Sequence, residues 1–297
     1  MTDPALPLKQ LKREHEFLVG VDSDGCAFDT MEIKHKECFI PNIIKYWDLQ
    51  PVSKYAREAG EFVNLYSKWR GINRWPALLM VFDLLEERPE VGKRGVNIPK
   101  AEPLRRWVDK ETKLSNDTLK VLVQADSNPV LRNGLAWSEA VNRAIEDIVH
   151  GVPPFPFVRE SLDKLMSVAD IVVVSATPGE ALRREWEEHD IAHYAKVIAG
   201  QEMGSKKEHL ALAIQAGGYS PDQVLMIGDA PGDLQAAKAN HALYFPINPG
   251  DEDDSWQKFH EQACDRFLKG TYAGDYEAKL IAEFDQYLPD TPPWKER

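Results

Sequence analysis

The chain has 297 residues, 43% hydrophobic and 28% charged, with a net charge of −12. That length and composition fit one or two globular domains with real cores, and the acidic balance speaks against a nucleic-acid binder, which would show a basic face. No apolar run reaches membrane-spanning length, Met1-Thr2-Asp3-Pro4 has no signal-peptide pattern, and Cys26, Cys38 and Cys264 lack metal-ligand spacing, so the expectation is a cytoplasmic protein with reduced thiols.

Residues 1 to 15 read as a polar arm. The apolar run Phe17-Leu-Val-Gly-Val21 then stops at Asp22-Ser23-Asp24-Gly25, the pattern of a buried parallel strand ending in a turn. From residue 32 to 151 the chain is helical and strand-poor, as in Glu32 to Ile40 and Trp107 to Ala125. Pro41, Pro51, Gly60, Gly71, Pro76, Pro89 and Pro129 are expected to cut this stretch into several helices. The Pro-rich link Gly151 to Pro156 suits a domain hinge.

Strands and helices alternate after it. The spacing predicts a helix over 158–168, a strand over 171–174 ending in Ser175-Ala176-Thr177-Pro178-Gly179, and a helix over 180–189. It continues with a strand over 196–199, a helix over 206–216, and a strand over 224–227 ending in Gly228-Asp229-Ala230-Pro231-Gly232-Asp233. A helix over 234–239 and a strand over 242–245 complete the series. The fold class is therefore α/β: a doubly wound parallel sheet, Rossmann-like, built from 1–31 and 152–297, with residues 32–151 inserted as an α-helical domain. The tail from 251 is acidic and expected to dock as helix on the α/β body, offering Trp256, Phe259, Phe267, Leu280, Ile281 and Phe284. The insert has 19 basic and 17 acidic residues, against 17 and 31 in the rest, so it is far less acidic than the body.

Ligands of open α/β sheets bind beyond the carboxyl ends of strands. Three such ends carry polar groups here: Asp22 and Asp24, Ser175 and Thr177, Asp229 and Asp233. Four converging carboxylates would repel one another unless a cation lay among them, and hard oxygen donors of this kind suit Mg²⁺. One aspartate could attack phosphorus while a lysine from Lys206-Lys207 and the metal offset charge. The second, two residues on, could protonate the leaving oxygen and later activate water. A hydroxyl and backbone N–H groups at the Ser175 turn could hold phosphoryl oxygens.

With those motifs in that order after those strands, the chain resembles the haloacid dehalogenase superfamily, whose D-x-D-G-x-x-F-D-T form is closely followed by Asp22 to Thr30. The resemblance spans residues 16–31 and 152–250, with the helical insert where many members carry a cap. It implies Asp22 as a nucleophile forming an aspartyl-phosphate and Asp24 as general acid and base. It further implies that Ser175 holds the phosphoryl group with Ala176 and Thr177 beside it, and that Lys206 is the motif cation. The Mg²⁺ set it implies is Asp22, the backbone carbonyl of Asp24, Asp229 and Asp233. Two places depart from the family form: Cys26 stands where Thr or Val is common, and Ala176 where Asn often stands. Lys206, 23 residues before Asp229, is preferred over Lys207.

Within the insert, Lys68 to Pro76 gathers Arg70, Arg74 and two tryptophans. One reading is a substrate-recognising surface using arginine forks, the other a solvated basic face whose tryptophans are core. The expected function is Mg²⁺-dependent hydrolysis of a small phosphorylated metabolite through the aspartyl-phosphate. A phosphomutase using the same residues and a non-catalytic binding protein of the same fold are the alternatives. Nothing in the sequence names the substrate or an oligomeric state.

Overall fold

The structure, a computed structural model, describes residues 3–295. Its sheet has five strands: β1 (Phe17–Val21), β2 (Ala169–Val174), β3 (Ala195–Ala199), β4 (Val224–Gly228) and β5 (Leu243–Pro246). All pair in parallel, in the order β3-β2-β1-β4-β5. Side chains alternate between the two faces of a strand. Val19, Val21, Ile171, Val173, Leu225 and Ile227 enter one buried cluster, while Leu18, Val172, Val174, Val224 and Met226 enter another. Burial on both faces explains why these strands are unbroken apolar runs. Each predicted α/β element is present with its boundaries moved by three residues or fewer, the helices being Val158–Leu165, Gly179–Glu188, Lys206–Gly217 and Pro231–Ala239.

Two compact units emerge: the chain through Met31 with Gly151–Leu288, and Glu32–His150 with the chain from Pro289 onward. The first holds the sheet. Within it, Trp256, Phe259, Phe267, Leu280 and Phe284 of the tail are buried in the sheet's two clusters, and Ile281 packs at their edge. The tail departs from expectation after Leu288, because its last described residues pack in the helical unit. Trp294 lies 5.7 Å from Phe62, ring to ring, and Arg88 stacks over it at 4.5 Å. Lys68 bonds Asp290 at 2.9 Å. Aromatic contact and cation–π stacking hold this last segment in the helical unit.

The helical unit has a core of tryptophans, with Trp75 edge-on to Trp107 at 5.1 Å and to Trp137 at 5.5 Å. Several expected breaks do not break. The helical path runs from Thr30 to Tyr46 through Pro41, because a π turn over Lys34–Phe39 relaxes the ladder where proline has no N–H to donate. Pro76 sits in the first turn of the helix Arg74–Glu86, where N–H groups have no intrahelical partner anyway, and the helix Ser53–Asn64 passes through Gly60. The stretch from Trp107 to Ala125 is two helices, Glu102–Lys110 and Asn116–Ala125, the second opened by a Ser115–Thr118 capping box. Among the described residues, no helix is long and apolar enough to cross a membrane.

Candidate active site

β1 and β4 are neighbours, and their carboxyl ends set Asp22 beside Asp229. The Asp22 N–H continues the ladder by donating to the Ile227 carbonyl at 3.0 Å. One turn into the helix Pro231–Ala239, Asp233 folds back and accepts from the Ala230 N–H at 3.1 Å. Gly228 makes this possible: a Cβ there would lie 2.5 Å from the Asp233 side chain. Asp22, Asp229 and Asp233 are 4%, 1% and 0% exposed, and one oxygen of each lies within 4.8 Å of the others.

A capping box supplies the cation. Ser205 accepts from the Glu208 N–H while Glu208 accepts from the Ser205 N–H at 2.7 Å, which starts a helix with Lys206 as its first residue. The Lys206 ammonium donates to Asp22 Oδ2 at 2.7 Å and to Asp233 Oδ1 at 2.6 Å. Lys207 is exposed, and it is Lys206 whose ammonium reaches the carboxylates. Burial by itself would lower the Lys206 pKa, but the three carboxylates outweigh it and hold the ammonium well above the ordinary lysine value. Burial raises the Asp22 and Asp233 carboxyls above their ordinary range. Lys206 opposes that rise, and the neighbouring aspartates add to it.

Asp24 is half-buried. Thr30 and Thr177 donate to its two oxygens, Thr177 at 2.6 Å. Thr177 was expected among the phosphate contacts, whereas its hydroxyl is committed to Asp24. Ser175 is 2% exposed at the end of β2, and its Oγ accepts from the Thr177 N–H at 3.2 Å. Ala176 is exposed beside it.

Arg70 and Arg74 are engaged inside the helical unit. Arg70 is 2% exposed and donates to the Leu65 carbonyl at 2.9 Å. Arg74 donates to Ser138 Oγ at 2.9 Å and Asn142 Oδ1 at 2.7 Å and stacks over Phe39 at 4.9 Å, with burial pushing its pKa down to about 10. Of the two readings, the contacts given for these arginines favour packing within that unit over a recognition surface. Cys26 is fully buried, with burial and the nearby carboxylates pushing its thiol up, so it packs and does not attack.

Sequence reasoning missed several supports. Ser23 lies between the two key aspartates, donating to Glu185 at 3.0 Å and accepting from the Trp186 indole at 2.9 Å. Tyr244 donates to the Gly228 carbonyl and Tyr272 to the Tyr244 carbonyl, both at 2.7 Å, so the tail buttresses the end of β4. Thr30 was legible as the end of the D-x-D-G-x-x-F-D-T form, while the others carry no local signal.

A family model described as haloacid dehalogenase-like hydrolase matches residues 99–244. Over that stretch, just under half of its length, the chain is similar to that family. The matched stretch contains Ser175, Lys206, Asp229 and Asp233, and Asp22 and Asp24 precede it. A phosphoglycolate phosphatase of Salmonella paratyphi A is 37% identical over 90 residues, 29% of this chain and 36% of that protein. Its namesake from Aliivibrio fischeri is 28% identical over 106 residues, 33% of this chain and 47% of that protein. The chain thus spans less than half the length of the curated relatives it matches. A solved haloacid dehalogenase-like hydrolase from Streptococcus pneumoniae aligns at 18% identity with a TM-score of 0.43, covering 90% of this chain and 98% of that one.

Proposed function

We propose that the protein is a Mg²⁺-dependent phosphomonoester hydrolase of the cytoplasm, acting on a small phosphorylated metabolite through an aspartyl-phosphate on Asp22. The observation that carries this reading is the bridge of Lys206 between Asp22 and Asp233 among three buried carboxylates.

The donor set fits a hard divalent ion, since three buried carboxylates face one ammonium and the surplus charge calls for a further cation. Asp22, Asp229, Asp233 and the backbone carbonyl of Asp24 would hold it. When bound, Mg²⁺ supplies neutralising charge to the phosphoryl oxygens.

The chain's own groups do the rest. An Asp22 oxygen attacks phosphorus, and the bond from phosphorus to the leaving oxygen breaks. Asp24, half-exposed and so within reach of solvent protons, gives that oxygen its proton. Asp24 then takes a proton from the water that cleaves the aspartyl-phosphate, and phosphate leaves. Lys206 orients Asp22 and offsets charge as the phosphoryl group arrives, while Ser175 and the N–H groups of its turn receive phosphoryl oxygens.

The test is hydrolysis of p-nitrophenyl phosphate with Mg²⁺ and after chelation. Metal-dependent phosphate release lost in Asp22→Asn is expected, and a wild type no faster than Asp22→Asn overturns the reading. A panel of phosphorylated metabolites follows, with 2-phosphoglycolate first because the matched relatives bear that name. Isomer interconversion of sugar phosphates without phosphate release would instead assign a mutase.

A further inference from the structure

We propose that Thr177 is a positioning residue for Asp24 and makes no contact with the substrate. The inference rests on the hydrolase reading above and deepens it, because it assigns a job to a hydroxyl that the sequence pattern places among the phosphate contacts.

The geometry begins with the two oxygens of Asp24. Thr30 Oγ1 donates to Oδ1 and Thr177 Oγ1 to Oδ2, the latter at 2.6 Å. One hydroxyl engages each oxygen of the carboxyl group, and together they fix its plane as well as its place. Threonine is suited to this because its branched Cβ leaves few χ1 wells, and a hydroxyl held in one well is aimed.

The two threonines arrive from separate parts of the sheet edge. Thr30 is fully buried at the start of the short helix that leaves the β1 turn. Thr177 comes from the turn after β2, 153 residues beyond Asp24, and that turn is itself braced. Its carbonyl accepts from the Gln201 N–H at 3.0 Å and its N–H donates to Ser175 at 3.2 Å. Gly200 packs so tightly beneath it that a Cβ there would lie 2.4 Å from the Gly179 nitrogen and 2.8 Å from the Thr177 carbonyl. The same turn therefore presents Ser175 toward the phosphoryl site and clamps the proton donor. Asp24 and the phosphoryl-binding hydroxyl are held in one register by five residues of chain.

A positioning role and a binding role predict different kinetics. Loss of a phosphate contact raises KM. Loss of the clamp lets Asp24 wander, which penalises substrates whose leaving oxygen needs a proton and spares those whose leaving group departs as a stable anion. For Thr177→Val we expect kcat/KM on an alkyl phosphate to fall about 10–100-fold, on p-nitrophenyl phosphate by less than about 3-fold, with KM nearly constant. Thr177→Ser is expected to recover most of the loss. In an Asp24→Asn background Thr177→Val should cost nothing further, since a residue acting through Asp24 has nothing left to act on.

The experiment measures wild type, Asp22→Asn, Thr177→Val, Thr177→Ser, Asp24→Asn and the Asp24→Asn/Thr177→Val double variant on both substrates, with thermal midpoints to verify folding. A Thr177→Val effect that appears in KM alone, or that adds fully to Asp24→Asn, overturns the role while leaving the hydrolase reading in place. A wild type no faster than Asp22→Asn overturns the hydrolase reading and this role with it.

Discussion

At the amino end of β2, one carboxylate is ringed by donors. Asp170 is fully buried and accepts from the Glu14 and His15 N–H groups, the His15 ring at 2.8 Å, the Lys196 ammonium at 2.8 Å and the Tyr219 hydroxyl. At the carboxyl ends of β1 and β4 the ratio is reversed, with three buried carboxylates sharing Lys206. Burial would raise every one of these acids. For Asp170 the Lys196, Tyr219 and backbone donors win and hold its carboxyl far below the ordinary range, whereas Asp22 and Asp233 stay above it. All three are nearly inaccessible to solvent, and the outcomes are opposite because Asp170 has more donors and is less deeply desolvated. The saturated end ties the N-terminal arm, β2, β3 and Tyr219 together, while the other end leaves three carboxylates around one ammonium.

The contrast can be broken most directly at the unsaturated end. Asp22→Asn should cut turnover by more than about 10³-fold, as loss of a nucleophile does, while the metal-free thermal midpoint stays level or rises because a repelling charge has gone. A marked fall in that midpoint would show that the cluster stabilises the fold. Asp170→Ala should do the reverse: about 3–5 kcal/mol of stability lost in denaturant titration, with turnover per folded molecule largely kept. Gly228→Ala comes next, since it displaces Asp233 by steric contact. About a 10²-fold drop in turnover with a small stability change is expected, and an unchanged rate would detach Asp233 from the site.

The smallest effect is in pH. A carboxyl whose folded pKa is depressed adds stability that is full above its unfolded pKa, about 3.9, and is lost as pH falls through the folded value. The gap in stability between wild type and Asp170→Asn should therefore hold from neutrality to about pH 4 and narrow below it. Asp22 and Asp233 carry the opposite sign, so in the metal-free protein they should add stability as pH falls from neutrality toward the unfolded carboxylate value. Asp22→Asn should flatten that limb in pH-dependent melting curves.

The unsaturated end was legible in the sequence because Asp22 and Asp229 each terminate an apolar run, Asp233 follows four residues after Asp229, and parallel strands send such ends to one edge. The capping residues around Lys206 are local as well. The saturated end was illegible: Asp170 opens a strand like any polar residue, and its donors come from positions 14, 15, 196 and 219. The partner chosen by Thr177 was hidden for the same reason, since which of two acceptors a hydroxyl meets depends on how two distant turns pack. Arg70 and Arg74 misled because a cluster of cations looks alike whether it faces solvent or folds inward. The separate packing of Trp294 was hidden because nothing local distinguishes it from the tail's other aromatic residues.

The order of strands has a consequence during synthesis. β1 is the middle of the sheet, and its first residues pair with Ala169 and Val224. A chain emerging amino end first offers Phe-Leu-Val-Gly-Val to water long before either neighbour exists, and the helices of residues 32–150 emerge while it waits. Those helices are completed in turn only when Trp294 leaves the ribosome. Each unit encloses a piece made at the other's expense of time. Slowed translation is therefore expected to lower yield through aggregation of nascent chains, with no change in the melting point of the molecules that finish.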